Sequence, residues 1–381
     1  MLVTGTESRT IAILGGYGRM GLAVARLLLQ ETNVRVRLMG RDRAKLDRAV
    51  SDLHSRFAPG RVTACVADAQ NADGLIAAVN GANLLVVCTT GASRTAGIAR
   101  AVLAGSVDCV DLRYPQSIVR EWRVHESDVR EAGLCVFTQT GHLPGLPGVF
   151  LRHAHAKNPF IRNVVMATAI CPAQPLSVGA AEEMADELRD GESGFFTRGR
   201  WVHTGCWRVR SMELGAGFGK RLCLPMSLEE LRGMPEEMHL DELSFFIAGF
   251  NGFVNGVVAP LAMTLGRLRQ ASVRRLLSSL MVYGVRRFAR PPLGAVMQIE
   301  ACAGTSSGYG MLAHHEDNYF FAAAAVLAGL NQYFDGSLAR RGLWSMSRVA
   351  DPVRLIRDMS RLGVVVQESE KGNKIGYPEQ D

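Results

Sequence analysis

Between residues 10 and 140, short apolar runs alternate with longer segments whose apolar positions recur every three or four residues. The runs have the length of strands, and the segments between them have the length and period of amphipathic helices. The strand-like runs are Ile11–Leu14, Val34–Met39, Val62–Val66, Leu84–Cys88, Val107–Asp111 and Leu134–Thr138. The helical segments lie near 22–31, 42–55, 71–80, 94–104 and 116–132. Six strands alternating with helices predict an α/β domain with a doubly wound parallel sheet of the Rossmann type.

The pattern changes after a glycine- and proline-rich crossing at 141–148. Short β-like runs and one helical stretch near 177–190 then predict an α+β domain with a mainly antiparallel sheet. The runs are Val164–Ile170, Arg200–Trp207 and Arg221–Leu224. Further along we expect mostly helical structure over 241–288, a strand near 294–302 and helices near 317–335 and 351–362. The sequence thus predicts a first domain at 1–145, a second at 146–316 and a flexible polar tail at 366–381.

A glycine motif connects the first strand to the first helix. Gly16, Gly18 and Gly21 have the spacing G-x-G-x-x-G, and this context makes the motif a dinucleotide fingerprint. The glycines allow a tight turn, close approach to a pyrophosphate and close packing of helix on strand. The phosphates then meet free N–H groups at the positive end of the helix dipole. We expect the loop to bind the cofactor through Gly16, Tyr17, Gly18, Arg19, Met20 and Gly21.

The end of the second strand bears on the choice of cofactor. An NAD site needs a carboxylate there to accept the ribose hydroxyls, but this strand ends in Gly40-Arg41. An arginine pairs with a 2′-phosphate, so the sequence favours NADP(H). Asp42, one position later, is equally suited to cap the next helix, and Lys45 is interpreted as a solvated helix lysine.

Two later loops complete the predicted cofactor site. Asp68 follows the third strand, where it would either accept the adenine amine or cap a helix. Thr89, Thr90 and Gly91 follow the fourth strand, where the chain passes the nicotinamide ribose. We expect all four residues to bind the cofactor.

With these motifs in hand, the chain resembles the saccharopine dehydrogenase-like reductases over nearly its full length. The resemblance is carried by Leu14–Gly18, Gly40-Arg41, Val110-Asp111, the Gly-x-x-Pro-Gly-Leu segment at 141–146 and Asp335-Gly336. It implies an NADPH-dependent reductase that transfers a hydride to a C=N bond, or to C=C or C=O, of a small or medium-sized substrate. It also implies that 146–316 serves substrate binding and dimerisation and that helices within 317–365 return to the first domain. Leu143 replaces the polar residue found there in members that act on amino acids, which argues against such a substrate.

We expect the residues that act on the substrate to lie at the carboxyl ends of the strands and in the crossing at 141–148. His142 and Tyr114 are the candidate proton donors, because a reductase supplies geometry and a proton while the cofactor supplies the hydride. Arg113 is placed to hold a substrate carboxylate, and Asp111 to orient a neighbour. A histidine hydrogen-bonded to backbone in a tight loop is an open alternative for His142.

Composition narrows the function further. The chain has 381 residues and a net charge of +7 that comes mostly from arginines, which are scattered, with no basic block and no interleaved aromatics. This pattern does not favour nucleic-acid binding, and a diffuse positive field suits a phosphorylated cofactor. The eight cysteines form no C-x-x-C pair, and His314-His315-Glu316 lacks metal-ligand spacing, so we expect a reducing cytoplasm and no metal.

One segment leaves membrane association open. Residues 245–266 carry no charge and are long enough to span a bilayer. Asn251, Asn255 and Pro260 interrupt the segment, so a buried helix or a homodimer interface is the favoured interpretation. Two alternatives to a soluble reductase remain: a non-catalytic NADP(H) sensor or scaffold, and a membrane-associated enoyl-type reductase of lipid-like substrates.

Overall fold

A computed structural model describes residues 9–370, apart from residues 59, 92–93, 175, 192, 205–208, 269, 305–306 and 339. The chain divides into two compact units. Unit 1 comprises Met1–Leu146 and Ala322–Leu355, and unit 2 comprises Pro147–Phe321 and Ile356–Asp381.

The regular elements are numbered in chain order. The strands are β1 Thr10–Leu14, β2 Arg35–Gly40, β3 Val62–Val66, β4 Leu84–Val87, β5 Asp108–Asp111, β6 Cys135–Thr138, β7 Asn163–Cys171, β8 Gly194–Thr197, β9 Arg200–His203, β10 Arg210–Leu214, β11 Gly219–Pro225, β12 Glu242–Ala248, β13 Gly294–Ala303, β14 Ser307–His315, β15 Gly342–Ser345 and β16 Val365–Ser369. The α-helices are α1 Arg19–Glu31, α2 Arg43–His54, α3 Ala72–Val79, α4 Thr95–Ala104, α5 Ser117–Arg123, α6 Glu126–Glu131, α7 Leu146–Lys157, α8 Val178–Asp190, α9 Met234–Glu237, α10 Ala259–Thr264, α11 Ala271–Phe288, α12 Asn318–Phe334, α13 Met346–Val349 and α14 Pro352–Leu362. Short 3₁₀ turns occupy Glu229–Leu231 and Leu265–Leu268, and a π-helical turn occupies Val254–Val258.

The sheet of unit 1 is parallel throughout. Within the described residues its strand order is β15-β6-β5-β4-β1-β2-β3, with β4 at the centre and β1 between β4 and β2. Ile11–Leu14 and Leu84–Val87 are almost inaccessible to solvent, as strands covered by helices on both faces must be. This arrangement confirms the predicted doubly wound sheet, to which the unpredicted β15 adds a strand beside β6.

The sheet of unit 2 is mainly antiparallel, which confirms the second part of the predicted fold class. Its path runs β10-β11-β12-β7-β13-β14-β16, and β8 pairs with both β12 and β9. Among these pairs only β12 with β7 is parallel. The long hairpin of β13 and β14 lies beside β7 and carries a core of small and apolar side chains.

The expectation of mostly helical structure over 241–288 is wrong for Glu242–Ala248, which forms β12. A short continuous apolar run fits a buried strand or a buried helix equally well, and here pairing with β7 decides it. The uncharged segment 245–266 is therefore divided between β12 and a broken series of helical turns. In the part of the chain that the structure describes, no helix has the length and apolar character needed to cross a membrane.

The carboxyl-terminal region also differs from expectation. Residues Val365–Ser369 form β16 and pair with β14, so the predicted flexible tail does not begin at 366. Residues 371–381 lie outside the described residues, as does Trp207 of the predicted run at 200–207.

Candidate functional site

The glycines of the fingerprint loop lie where an added side chain would be strained or would crowd the neighbouring backbone. The N–H groups of Gly15 and Gly16 both donate to the carbonyl oxygen of Met39 at 2.9 Å, which draws the turn against the end of β2. Gly15 has φ of +85°, and a Cβ on Gly16 would lie 2.9 Å from the carbonyl oxygen of Ile13. The turn is thus held closed by backbone alone.

The same loop leaves the start of α1 open to an anion. Gly18 is the N-cap and provides no side-chain hydrogen bond, and the first turn contains no acidic residue. A Cβ on Gly21 would overlap the carbonyl oxygen of Gly15, so the helix packs on the turn as a pyrophosphate cradle requires. Arg19 and Met20 occupy the first turn of α1, and Arg19 is exposed. This cradle fits the phosphates of a dinucleotide.

An aromatic ring and several basic side chains surround the end of β2. The ring of Tyr17 covers Gly40 so closely that a Cβ there would overlap it. Lys45 places its Nζ 5.7 Å from the centre of that ring and 3.2 Å from a carboxylate oxygen of Asp42. Arg41 is exposed, and within the described residues its side chain has no recorded hydrogen bond or ion pair.

Asp42 acts as the helix cap that the sequence left as an alternative. Its carboxylate accepts a hydrogen bond from the N–H of Lys45 at 3.0 Å and so caps α2. That backbone bond, followed by the bond to the side chain of Lys45, lowers the pKa of Asp42. The carboxylate is therefore engaged by its own helix.

Asp68 does not cap a helix, since the N-cap of α3 is Asn71. Its carboxylate instead accepts a hydrogen bond from the N–H of Gln70 at 3.0 Å within the turn after β3. The side chain of Asp68 is half-buried. Its contact with the adenine of the cofactor stays a prediction.

The loop after β4 is tied to β5 by a buried ion pair. Arg113 donates to both carboxylate oxygens of Asp111, at 2.5–3.1 Å, and both side chains are fully buried. The same guanidinium donates to the carbonyl oxygen of Gly91 and to Oγ1 of Thr95, each at 3.0 Å. Trp122 donates to Asp111 at 2.7 Å from its indole nitrogen. Burial alone would lower the pKa of Arg113, but the carboxylate of Asp111 raises it.

These contacts determine what Arg113 can do. A guanidinium has five N–H groups, and the bonds to Asp111, Gly91 and Thr95 occupy most of them. Arg113 thereby fixes Gly91, which has φ of +98°, in the loop that also contains Thr89 and Thr90. The predicted role of Arg113 as a substrate-carboxylate anchor is untested, and its contacts favour positioning of the cofactor loop.

The segment after β6 is buried and tightly folded. Gly141 and Gly145 have φ of +140° and +128°, and a Cβ on Gly145 would lie 2.8 Å from the backbone of Gly141. His142 between them is 5% exposed, and this burial lowers its pKa to about 3. The imidazole is thus neutral near pH 7 and provides a hydrogen-bonding group. Tyr114, the other predicted donor, is half-buried after β5.

Gln139 is a residue of this region that sequence analysis missed. It follows β6 directly, has φ of +51° and is 5% exposed. Its Nε2 is buried and has no hydrogen-bond partner among the residues that the structure describes. The available signal was its place at the carboxyl end of a parallel strand, where such sheets bind ligands.

Unit 2 contains its own cavity of about 350 Å³. The cavity lies between the β10–β11 turn and one face of the sheet, and its wall includes Gln298, Glu300, Gly310 and Ser369. Gln298 joins the two sides by accepting from the N–H of Gly215 and donating to the carbonyl oxygen of Glu213, both at 3.0 Å. The described residues contain no cluster of three or more His, Cys, Asp or Glu side chains arranged to hold a metal ion.

The chain is similar to known proteins in both sequence and fold. Residues 11–137 match the family model described as the saccharopine dehydrogenase NADP binding domain. No curated protein sequence matches the chain significantly. Among solved structures, saccharopine dehydrogenase (L-Glu forming) from Saccharomyces cerevisiae matches with a TM-score of 0.69 at 12% identity, over 95% of this chain and 99% of that one. A dehydrogenase from Chromobacterium violaceum matches with a TM-score of 0.46 at 10% identity, over 94% of each chain.

The yeast structure shows a shared fold over nearly the whole chain, and the family model covers residues 11–137 of unit 1, which contain the glycine cradle and Arg41. NADP(H) is the cofactor of that domain family, and the cradle at Gly16–Gly21 fits it. The chain is therefore similar to saccharopine dehydrogenase, by sequence in its NADP-binding domain and by fold over nearly its whole length.

Proposed function

We propose that this protein is an NADPH-dependent reductase that acts on a C=N bond, or on C=C or C=O, in a small or medium-sized substrate. The observation that carries the proposal is the glycine cradle at Gly16–Gly21 together with an exposed arginine, Arg41, that has no hydrogen bond or ion pair among the described residues. When bound, the reduced cofactor supplies the hydride. The protein's task is then to hold both reactants, exclude water and position any proton.

Preference for NADP(H) over NAD(H) rests on the end of β2. Asp42 caps α2 and pairs with Lys45, and these contacts compete with acceptance of the ribose hydroxyls. Arg41 is free to pair with a 2′-phosphate, and Tyr17 offers a flat apolar surface beside it. A charged hydrogen bond contributes about 1.5–3 kcal/mol, so Arg41 alone supplies about ten- to 150-fold selectivity.

Near the expected site of hydride transfer, the described residues are better suited to orienting the reactants than to strong acid catalysis. Arg113 and Asp111 hold the loop of Thr89–Gly91, and the neutral imidazole of His142 donates or accepts a hydrogen bond. An iminium carbon is already electrophilic, so its reduction needs no strong acid at this position. This favours C=N over C=O as the reduced bond, with Tyr114 as the remaining proton donor.

The test combines binding with turnover. NADPH and NADH are titrated against the protein by cofactor fluorescence, and imine, enoyl and carbonyl substrates are screened for loss of absorbance of the reduced nicotinamide. We expect tighter binding of NADPH and turnover with at least one imine. Equal binding of both cofactors refutes the selectivity argument. Tight NADPH binding without turnover on any substrate class refutes the reductase proposal and supports a non-catalytic NADP(H) sensor.

We also propose that residues 146–316 bind the substrate and form a homodimer. The proposed location of the protein is the cytoplasm. Gel filtration with light scattering measures the oligomeric state directly.

A further inference from the structure

The net charge of the chain is concentrated in one region. Residues 243–299 contain no Asp, Glu, Lys or His but seven arginines. Those seven account for the whole net charge of +7, because the other 36 basic residues are balanced by the 36 acidic ones. Arginine is only slightly more frequent here than in the rest of the chain, so the region is basic because it lacks acidic residues. All seven arginines lie between β12 and β13 in the sequence, in the segment that includes α10 and α11.

This region forms a helical hairpin whose inner side is a core. The turns from residue 252 to 268 form one arm, and α11 forms the other. On the inner side, apolar residues of both arms pack against α8 around Val254, Val258, Leu277 and Met281. Asn251 stabilises the start of the first arm by accepting from the N–H of Val254 at 3.0 Å and donating to the carbonyl oxygen of Gly284 at 3.1 Å.

The outer side of the hairpin is also apolar, although it faces solvent. Five large apolar side chains on it are between 40% and 58% exposed: Val257, Leu265, Leu268, Leu276 and Tyr283. Tyr283 lies seven residues after Leu276, on the same stripe of α11. Its ring contacts Phe253 of the first arm, with ring centroids 6.0 Å apart, and Phe253 stacks on Phe288 at 5.3 Å. The two arms thus share one outer apolar surface.

Exposed arginines border this surface. Helical spacing places Arg275 and Arg286 on one side of the Leu276–Tyr283 stripe and Arg287 on the other, and Arg290 follows the end of α11. Among the described residues, no carboxylate lies within ion-pair distance of any of these four. We call the five apolar residues and these four arginines the basic apolar face.

The neighbouring acidic residues do not neutralise this face. The acidic side chains packed nearest belong to α8, where Glu182 and Asp186 pair with Arg274 at 3.4 and 2.8 Å. Asp186 and Asp190 also pair with Arg189 of the same helix. Arg274 lies toward the α8 side of α11, so these acids are engaged away from the Leu276–Tyr283 stripe.

We propose that the basic apolar face docks the protein on the surface of a membrane that contains anionic lipids. A helix with exposed apolar side chains and flanking arginines lies in the interface, with its apolar face among the acyl chains and its cations at the headgroups. A second copy of the chain is the poorer occupant, because a two-fold contact would bring two sets of arginines together without acidic partners. The docking is peripheral and needs no membrane-spanning helix.

The test is co-sedimentation of the purified full chain with vesicles. We expect binding to an equimolar mixture of phosphatidylcholine and phosphatidylglycerol, little binding to phosphatidylcholine alone, and release by molar salt. The double variant Arg286→Ala/Arg287→Ala should bind about thirty-fold more weakly, at ~1 kcal/mol per arginine. The variant Leu276→Ser/Tyr283→Ser should also lose binding while keeping the charges.

The matched control is Phe160→Ser/Arg200→Ala, which changes an exposed aromatic and an exposed arginine of unit 2 outside this face. All variants should keep the circular dichroism and the NADPH affinity of the parent, which excludes unfolding as a cause. Equal binding to neutral vesicles, no binding to anionic vesicles, or equal losses in control and test variants would each overturn the proposal. The proposal would also be overturned if the parent protein does not bind vesicles and instead forms a stable oligomer that dissociates in the Arg286→Ala/Arg287→Ala variant.

Discussion

Replacing Arg113 by methionine should destabilise unit 1 far more than breaking an exposed ion pair. The Asp111 and Arg113 side chains are both fully buried and make a bidentate pair. Removing the guanidinium leaves Asp111 with the indole of Trp122 and the N–H of residue 113 as its partners, at 2.7 and 3.0 Å. Breaking a buried pair in this way costs about 3–5 kcal/mol. That is a large part of the free energy of unfolding of a domain, roughly 5–15 kcal/mol.

Urea unfolding followed by circular dichroism and tryptophan fluorescence measures this loss. The matched control is Arg100→Met, which breaks the pair with Asp73 in which both side chains are mostly exposed and which should cost less than about 1 kcal/mol. The double variant Asp111→Asn/Arg113→Met removes both charges, so it should cost clearly less than the sum of its two single variants.

Two results would refute this reasoning. One is a cost for Arg113→Met no larger than that for Arg100→Met, and the other is simple additivity of Asp111→Asn and Arg113→Met. A loss of turnover at unchanged stability would instead support the role predicted from the sequence, in which Arg113 holds a substrate carboxylate.

Three further predictions address the cofactor and His142. Arg41→Ala should weaken NADPH binding by about ten- to 150-fold and leave NADH binding nearly unchanged, as measured by fluorescence titration. Gly21→Ala should abolish binding of both cofactors because its Cβ would overlap the carbonyl oxygen of Gly15, whereas Gly256→Ala, whose Cβ meets nothing within 4 Å, should not. Burial lowers the pKa of His142 from 6.5 to about 3, so the unfolded state binds more protons between these values and stability falls as the pH drops through them. Between about pH 8 and pH 5 the parent should lose ~2 kcal/mol that His142→Gln does not lose, and an equal pH dependence in both would contradict the buried, neutral imidazole.

Most of unit 1 could be predicted from its sequence because local and tertiary signals agree there. The strands around Ile13 and Val86 are continuously apolar, as strands buried on both faces must be, and turn residues separate them from periodic helices. The exception is β15, whose sequence Gly-Leu-Trp-Ser has only two adjacent apolar residues and so lacks the continuous apolar run of the other strands.

Unit 2 was harder to predict because several of its strands are specified by their neighbours. Strand β14 contains glycines at 308 and 310 and two terminal histidines, and its conformation depends on pairing with β13 along its full length. Strand β16 is largely polar and exposed because it lies at the edge of the sheet, where one side of the strand is unpaired. The local amino-acid compositions of β14 and β16 are therefore like that of a loop.

In the candidate site, too, features set by the local sequence could be predicted, and features set by distant parts of the chain could not. Glycines that a backbone turn requires are visible in sequence, and their places at Gly16, Gly18 and Gly21 follow from spacing alone. Hydrogen-bond partners are not visible, so the sequence did not distinguish a capping Asp42 from one that accepts a ribose. The burial of Gln139 and of Arg113 likewise depends on strands far apart in the chain.

The location of the charge also changes the argument for cofactor selectivity. Outside residues 243–299 the chain has no net charge, so a general positive field does not explain recognition of a 2′-phosphate. At physiological salt, charges act over about 8 Å, and the selectivity must come from the side chains at the end of β2. There Arg43 is paired with Asp47 and Lys45 with Asp42, whereas Arg41 has no recorded partner in the described chain. Arg41→Ala should therefore remove most of the discrimination between NADPH and NADH, and Lys45→Ala should change it much less.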